Sequence, residues 1–182
     1  MSRNARVVSS TGLYHVIIRG PSEITLFKNN LDKIKYLRYV TFYKKYFNFK
    51  IYCYCLMDTH AHFLIDECSS KLSAFMKQIN NSYSKYFNGK YNHRGHVLED
   101  RFSSYAIETD SYLIQLSYYI HKNPKSIPQF EHAPEKYPFS SLGIYLNLRK
   151  DAFNLVSTTR ILQYFSINKN QAINQYKKNL LL

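Results

Sequence analysis

Apolar residues recur along the chain at two different spacings, and each change of spacing marks a predicted element. Residues 12–20 (GLYHVIIRG) are β-branched in the middle and flanked by glycines, which predicts a first strand. In residues 31–46, apolar side chains recur every three or four positions among lysines, which predicts an amphipathic helix. The aromatic-rich residues 49–57 and the following HFLIDE (residues 62–67) predict two strands joined by a tight turn at Asp58-Thr59.

The second half of the pattern predicts a helix, a strand and a further helix. The first of these helices covers residues 73–87 and ends before the polar loop NGKYNHRGH. The short segment SSYAIET is predicted to form a strand. The next helix covers residues 110–122, with Asp110 as its N-cap and Pro124 just beyond its end.

The order β-α-β-β-α-β with an added helix predicts an α+β protein of the ferredoxin-like, split β-α-β type. In this architecture a central antiparallel sheet carries helices on one face. We expect one domain over residues 1–136 and a short helical C-terminal appendage over residues 137–182.

The excess of basic residues indicates the class of molecule that the protein binds. The 25 Lys and Arg residues outnumber the 12 Asp and Glu residues, which gives a formal net charge of +13. Such an excess favours a polyanion, either nucleic acid or an anionic membrane surface. No apolar run reaches the ~18 residues of a spanning helix, which disfavours the membrane. Three cysteines without a CxxC pair indicate no disulfide framework. We therefore expect a cytoplasmic, nucleoid-associated protein.

The stretch MDTHAHFLI contains the first candidate for chemistry. Side chains two apart on a strand point the same way, so His60 and His62 project from one face while Ala61 points to the other. Two neutral imidazoles placed so closely can bind one divalent cation. A pair of ordinary strand histidines, one capping the turn, is the alternative interpretation of this motif alone.

The helix DSYLIQLSYYIHKNP supplies further candidates. At 100° per residue, Tyr119 and Asn123 lie only ~40° apart on the helix, whereas Tyr118 lies ~140° from Asn123 and cannot serve the same site. Considered singly, Tyr119 can be a packing residue and Asn123 a helix terminator before proline.

Together these segments resemble a known family. YHVIIRG, CLMDTHAHFLI, GHVLEDRFSSY and YIHKNP occur in the order and spacing of IS200-like single-tyrosine transposases, and most resemble the REP-associated tyrosine transposases. The resemblance implies that His60, His62 and Asn123 bind a divalent metal, Mg²⁺ or Mn²⁺, and that Tyr119 is the nucleophile. The chain departs from the family in having Asp58-Thr59 where Pro-Asn is usual, and GPSEITLF where Gly-Asn-Asn-Arg-type residues are usual.

The resemblance also implies a reaction. The tyrosine attacks a phosphodiester of single-stranded DNA, forms a 5′-phosphotyrosine link and releases a 3′-hydroxyl, which conserves the bond energy for rejoining. A protonated phenol is a weak nucleophile, so a bound cation is needed to polarise the phosphate and stabilise its developing charge.

Basic residues near these motifs are candidates for contacts with single-stranded or hairpin DNA. The stretch NSYSKYFNGKYNHRGH interleaves cations with tyrosines, a composition suited to holding phosphates and stacking unpaired bases. The alternative is that these tyrosines belong to the core and the lysines solvate a helix. The predicted DNA contacts are Arg19, Lys90, Arg94, His96, Arg101 and Lys122.

Two functions follow from the sequence. The first is a DNA transposase, or single-strand endonuclease, that cleaves and rejoins DNA at hairpin-flanked sites. The second is a catalytically silent nucleic-acid-binding protein on the same fold. A zinc-stabilised structural protein is disfavoured because the chain has no CxxC or HExxH motif. The resemblance leaves both a monomer and a homodimer open.

Overall fold

The computed structural model describes residues 7–99 and 101–181; residues 1–6, 100 and 182 of the predicted domains lie outside this description. The strands are β1 (Leu13–Arg19), β2 (Lys50–Leu56), β3 (His60–Asp66) and β4 (Ser103–Ala106). The helices are α1 (Asn30–Lys44), α2 (Leu72–Tyr91), α3 (Asp110–Lys122), α4 (Leu142–Tyr145), α5 (Thr159–Leu162) and α6 (Lys169–Leu181). Short 3₁₀ turns cover Asn123–Ser126, Pro128–Phe130 and Pro134–Lys136.

The four strands form one antiparallel sheet in the order β2-β3-β1-β4, which confirms the predicted fold class. β2 and β3 form a hairpin at the predicted turn, where the Met57 N–H donates to the His60 carbonyl at 2.8 Å. In the register of β1 against β3, Arg19 lies opposite His60 and Ile17 lies opposite His62. The sheet therefore places the histidine pair at its centre rather than at an edge.

Helices cover both faces of the sheet. On one face, the Phe63 ring contacts Tyr36 of α1, which in turn contacts Tyr83 of α2. On the opposite face, the neighbouring His62 contacts Tyr119 of α3. The sequence predicted helices on one face only. This is correct for α1 and α2, but α3 lies on the opposite face. The physical reason is that β2 and β3 are buried along nearly their whole length, which requires cover on both sides.

The C-terminal segment, residues 137–181, packs against β2 and α3. Isolated bridges join Cys55 to Ser140 and Ile51 to Val156 along the outer edge of β2. The Tyr176 side chain of α6 is fully buried. The segment contains helices as predicted and shares the buried core of the sheet. The proposed boundary after residue 136 stays a prediction.

Helix α2 is longer than predicted and includes Gly89. It continues to Tyr91 and ends at Asn92, which adopts the left-handed conformation (φ 48°). The buried carboxylate of Asp32 in α1 stabilises this last turn, because it accepts hydrogen bonds from Lys90 at 2.6 Å and from the Tyr91 hydroxyl at 2.7 Å. These long-range bonds outweigh the weak helix propensity of a single glycine.

Every helix within residues 7–99 and 101–181 is too short or too polar to span a lipid bilayer.

Candidate active site

His60 and His62 project together from β3 directly after the turn. Their ring centroids lie 5.0 Å apart with the rings nearly perpendicular. His62 is buried, whereas His60 is half-buried and lies with Nδ1 3.0 Å from the Thr59 hydroxyl. The strand geometry thus brings both imidazoles to one position on the α3 side of the sheet.

The turn before His60 is tethered to α1 and to the C-terminal segment. The buried Lys33 ammonium donates to Asp58 Oδ1 at 2.6 Å and to the Tyr137 hydroxyl at 3.0 Å. The Phe27 N–H donates to the Asp58 carbonyl at 2.8 Å. Asp58, which departs from the usual Pro-Asn of the family, is therefore one half of an ion pair that holds the turn in place.

A third histidine, His15 of β1, joins the pair, and the sequence analysis did not assign it a role. Its Nε2 lies 3.0 Å from Nδ1 of His62, and the two rings stack with centroids 5.2 Å apart. The residue is 6% exposed. The signal that could have found it is the ferredoxin-like strand order, which places β1 beside β3.

All three histidines favour the neutral form. Burial lowers the pKa of His62 to about 3, with a further contribution from nearby His15, His60 and Arg19. Burial alone lowers the pKa of His15 to about 4. The pKa of His60 is lowered by burial and then by the charge of Arg19. At neutral pH each ring therefore keeps an unprotonated nitrogen that can accept a hydrogen bond or bind a cation.

Helix α3 presents Tyr119 to the histidines and Tyr118 to the C-terminal segment. The Tyr119 ring, 53% exposed, meets His62 edge-on at 5.4 Å between centroids and His15 at 6.1 Å. The Tyr118 ring packs on the other side against Tyr176 at 5.0 Å. The structure thus separates the two adjacent tyrosines as the helical geometry predicts.

The N-cap of α3 is Thr109 rather than the predicted Asp110. The Thr109 hydroxyl accepts a hydrogen bond from the Tyr112 N–H at 3.2 Å, and Asp110 becomes the first helical residue. An acidic residue is still favourable there, because the helix N-terminus carries partial positive charge.

Asn123 follows the last residue of α3 and begins a 3₁₀ turn. Its side-chain amide donates to the carbonyl of Tyr119 at 2.8 Å and to that of Ile120 at 3.4 Å. These bonds cap the helix end at which Pro124 interrupts the α-helical pattern. Because the amide nitrogen is engaged, Oδ1 is the atom that a cation would bind.

The donor set suits a divalent cation of the Mg²⁺ or Mn²⁺ type. Two neutral imidazoles and one amide oxygen would give mixed N/O ligation, with positions left for phosphate oxygens. Within residues 7–99 and 101–181, no three His, Cys, Asp or Glu side chains form a group able to hold a metal. Asn123, whose amide oxygen is outside those four residue types, is the third ligand that the sequence predicts, and this assignment stays a prediction.

The predicted DNA-contact residues differ in their partners and in their exposure. The Lys90 ammonium is held by Asp32 at 2.6 Å, and this bond raises the pKa of Lys90. Lys90 is nevertheless exposed, as are Arg19, Arg94, His96 and Arg101, while Lys122 is half-buried in the last turn of α3. Lys90 thus joins α2 to α1 through a buried carboxylate, although its side chain still reaches the surface.

A groove in two adjoining parts lies beside β4. One part, of about 840 Å³, lies between α2 and residues 95–102 and is lined by Lys77, His96 and Arg101. A second part, of about 470 Å³, shares Arg101 and adds Arg19 and Tyr105. Arg19, which lines the second part, lies opposite His60 in the register of β1 against β3.

The sequence and the fold were compared with known protein families and solved structures, and both comparisons found transposases. Residues 8–123 match the family described as IS200-like transposase. Among solved structures, the fold is similar to that of a REP-associated tyrosine transposase bound to a REP hairpin. The TM-score is 0.62 at 17% sequence identity, and the match covers 81% of this chain and 86% of the other. No protein with a curated description matches the chain.

Proposed function

The chain belongs to the IS200-like transposase family, and from this premise we propose that it is a metal-dependent DNA transposase and single-strand endonuclease. It cleaves and rejoins DNA at hairpin-flanked sites through a 5′-phosphotyrosine intermediate. The observation that carries the proposal is the packing of the exposed Tyr119 ring edge-on against buried His62, with His60 on the same strand face. The adjacent Tyr118 ring, by contrast, is half-buried against Tyr176.

Tyr119 acts as the nucleophile in this proposal. Its phenolic oxygen forms a bond to the scissile phosphorus, the bond from phosphorus to the 3′ oxygen breaks, and that oxygen leaves as a 3′-hydroxyl after taking up a proton. A divalent cation on His60, His62 and Asn123 would supply charge neutralisation at the phosphate. The reverse attack by a 3′-hydroxyl restores a phosphodiester and frees the tyrosine, so the same site cleaves and rejoins.

Single-stranded or hairpin DNA is the proposed substrate. The fold neighbour is bound to a REP hairpin, and this chain carries a formal charge of +13. The groove beside β4 supplies Arg19 and Arg101 for phosphates, and Tyr105, 54% exposed, offers a ring on which an unpaired base can stack. Because Arg19 lies opposite His60, a single strand bound in this groove would be guided toward Tyr119.

The test of the proposal is a cleavage assay with a DNA hairpin that carries a single-stranded flank, in the presence of Mg²⁺ or Mn²⁺. The expected product has a 3′-hydroxyl that a polymerase can extend, and protein attached to the 5′ end. DNA binding with no cleavage on any hairpin tested would instead support the catalytically silent binding protein.

We expect one Mn²⁺ site that depends on the histidine pair. His60→Ala and His62→Ala should each weaken Mn²⁺ binding at least about 100-fold, because even changes that only reorient a ligand cost 10–100-fold. Isothermal titration calorimetry measures this effect. The exposed His132 provides the control, and His132→Ala should bind as wild type. Unchanged Mn²⁺ binding in both His60→Ala and His62→Ala would remove the metal assignment.

We also expect Arg101 and Lys90 to respond differently to removal of their charge. Arg101→Gln should weaken hairpin binding about tenfold and reduce the slope of log affinity against log salt by about one. Lys90→Gln should change affinity less than about twofold but lower the free energy of unfolding by about 1–3 kcal/mol, since buried Asp32 loses a charged donor. Fluorescence anisotropy and urea denaturation measure the two effects. An equal loss of DNA affinity in both variants would show that Lys90 faces the DNA.

A further inference from the structure

His15 is buried beneath the histidine pair, and its contacts give it a defined relation to His62. Its Nε2 lies 3.0 Å from His62 Nδ1, and its ring also meets Tyr105 at 6.0 Å and Tyr119 at 6.1 Å between centroids. We propose that His15 is a positioning residue: it accepts the Nδ1 proton of His62 in a hydrogen bond, so that His62 presents a bare Nε2 to the cation. This inference rests on the metal site of the proposed function.

The position of the proton decides what His62 can do. A hydrogen bond between two neutral imidazoles contains one proton, so there are two arrangements. If His62 Nδ1–H donates to His15 Nε2, then His62 Nε2 carries a lone pair directed away from His15. If His15 Nε2–H donates instead, the His62 proton is on Nε2 and no lone pair remains for a metal. Only the first arrangement produces a ligand.

The packing around His15 supports this role rather than that of a third ligand. The ring is 6% exposed, and its Nε2 is already engaged with His62. The described residues contain no group of three His, Cys, Asp or Glu side chains suited to hold a metal. A ligating histidine is commonly oriented by a partner on its other ring nitrogen, and loss of that partner costs 10–100-fold in metal affinity. His15 occupies that partner position.

Two matched substitutions test the inference. A glutamine side chain can bring its amide oxygen close to the place of the imidazole Nε2, whereas asparagine is too short to do so. We expect His15→Gln to bind Mn²⁺ within about threefold of wild type and His15→Asn to bind 10–100-fold more weakly. Both variants should bind hairpin DNA as wild type does, and circular dichroism checks that both are folded.

A readout without metal measures the proton directly. ¹⁵N NMR of the histidine side chains in the metal-free protein should show His62 protonated at Nδ1 in wild type and in His15→Gln. In His15→Asn the two tautomers of His62 should be mixed. A wild-type His62 protonated at Nε2, or equal Mn²⁺ affinity in His15→Asn and wild type, would overturn the inference.

Failure of the inference can be told from failure of the proposed function. If wild type binds no Mn²⁺, the proposed metal site fails, and with it the role of His15 toward the metal. If wild type binds Mn²⁺ through His60 and His62 but is insensitive to His15, only the positioning role is wrong.

Discussion

Replacing Tyr119 by phenylalanine is expected to abolish the covalent protein–DNA adduct, whereas replacing Tyr118 by phenylalanine leaves it in place. Tyr119→Phe removes the oxygen that attacks phosphorus in the proposed reaction. The Tyr118 ring lies on the other side of α3, against Tyr176, so its hydroxyl cannot reach the same phosphate. We expect no detectable adduct in Tyr119→Phe, because the covalent bond cannot form without the attacking oxygen.

The measurement is a denaturing gel of the protein incubated with a labelled hairpin and Mn²⁺, followed by peptide mapping of the adduct. Binding serves as the internal control, since Tyr119→Phe removes only a hydroxyl from a half-exposed ring and should keep hairpin affinity within about twofold. A phosphorylated Tyr118 peptide, or a persistent adduct in Tyr119→Phe, would place the nucleophile elsewhere.

Replacing Tyr176 by alanine is expected to lower the free energy of unfolding by about 3–5 kcal/mol, as for other large aromatic residues removed from a core. Tyr176 is fully buried, and its ring contacts Tyr118, Tyr145 and Phe165 within 5.5 Å. Its hydroxyl lies 2.8 Å from His121 Nδ1. Urea denaturation with a two-state fit measures the change.

The matched control is Tyr176→Phe, which keeps the ring and removes only the hydroxyl. The Tyr176 hydroxyl donates to Ser117 at 3.0 Å, so it accepts the proton of His121 Nδ1 at 2.8 Å. Loss of the hydroxyl leaves His121 with an unpaired buried donor, at a cost of about 1–3 kcal/mol. A change below about 1 kcal/mol in Tyr176→Ala would show that α6 adds little to the core.

Features set by local periodicity could be predicted from the sequence. The two-residue period of a strand placed His60 and His62 on one face, and the 100° step of a helix separated Tyr118 from Tyr119. The bounds of α3 were also predictable, because Pro124 ends the helix whatever the rest of the chain does. Such features depend on neighbours within about one turn, so a single sequence contains the information.

Features set by long-range contacts could not be predicted in the same way. The contact of His15 with His62 depends on the register of β1 against β3, and no spacing rule gives that register. The extension of α2 past Gly89 depends on Asp32, which lies in another helix. The same carboxylate explains why Lys90 looked like a free surface cation in the sequence: its partner is distant in the chain and adjacent only after folding.

The ion pair between Lys33 and Asp58 has a consequence for the evolution of this family. Lys33 is buried, and Asp58 is its carboxylate partner at the turn that aims His60. A proline at position 58 would leave the buried Lys33 ammonium without a counter-charge, which is destabilising even though the Asp58 carboxylate is itself largely exposed. In relatives with proline at this turn, the position equivalent to Lys33 should therefore hold an uncharged residue. Positions 33 and 58, which are 25 residues apart, should therefore covary among relatives, because a change at one of them alone is destabilising.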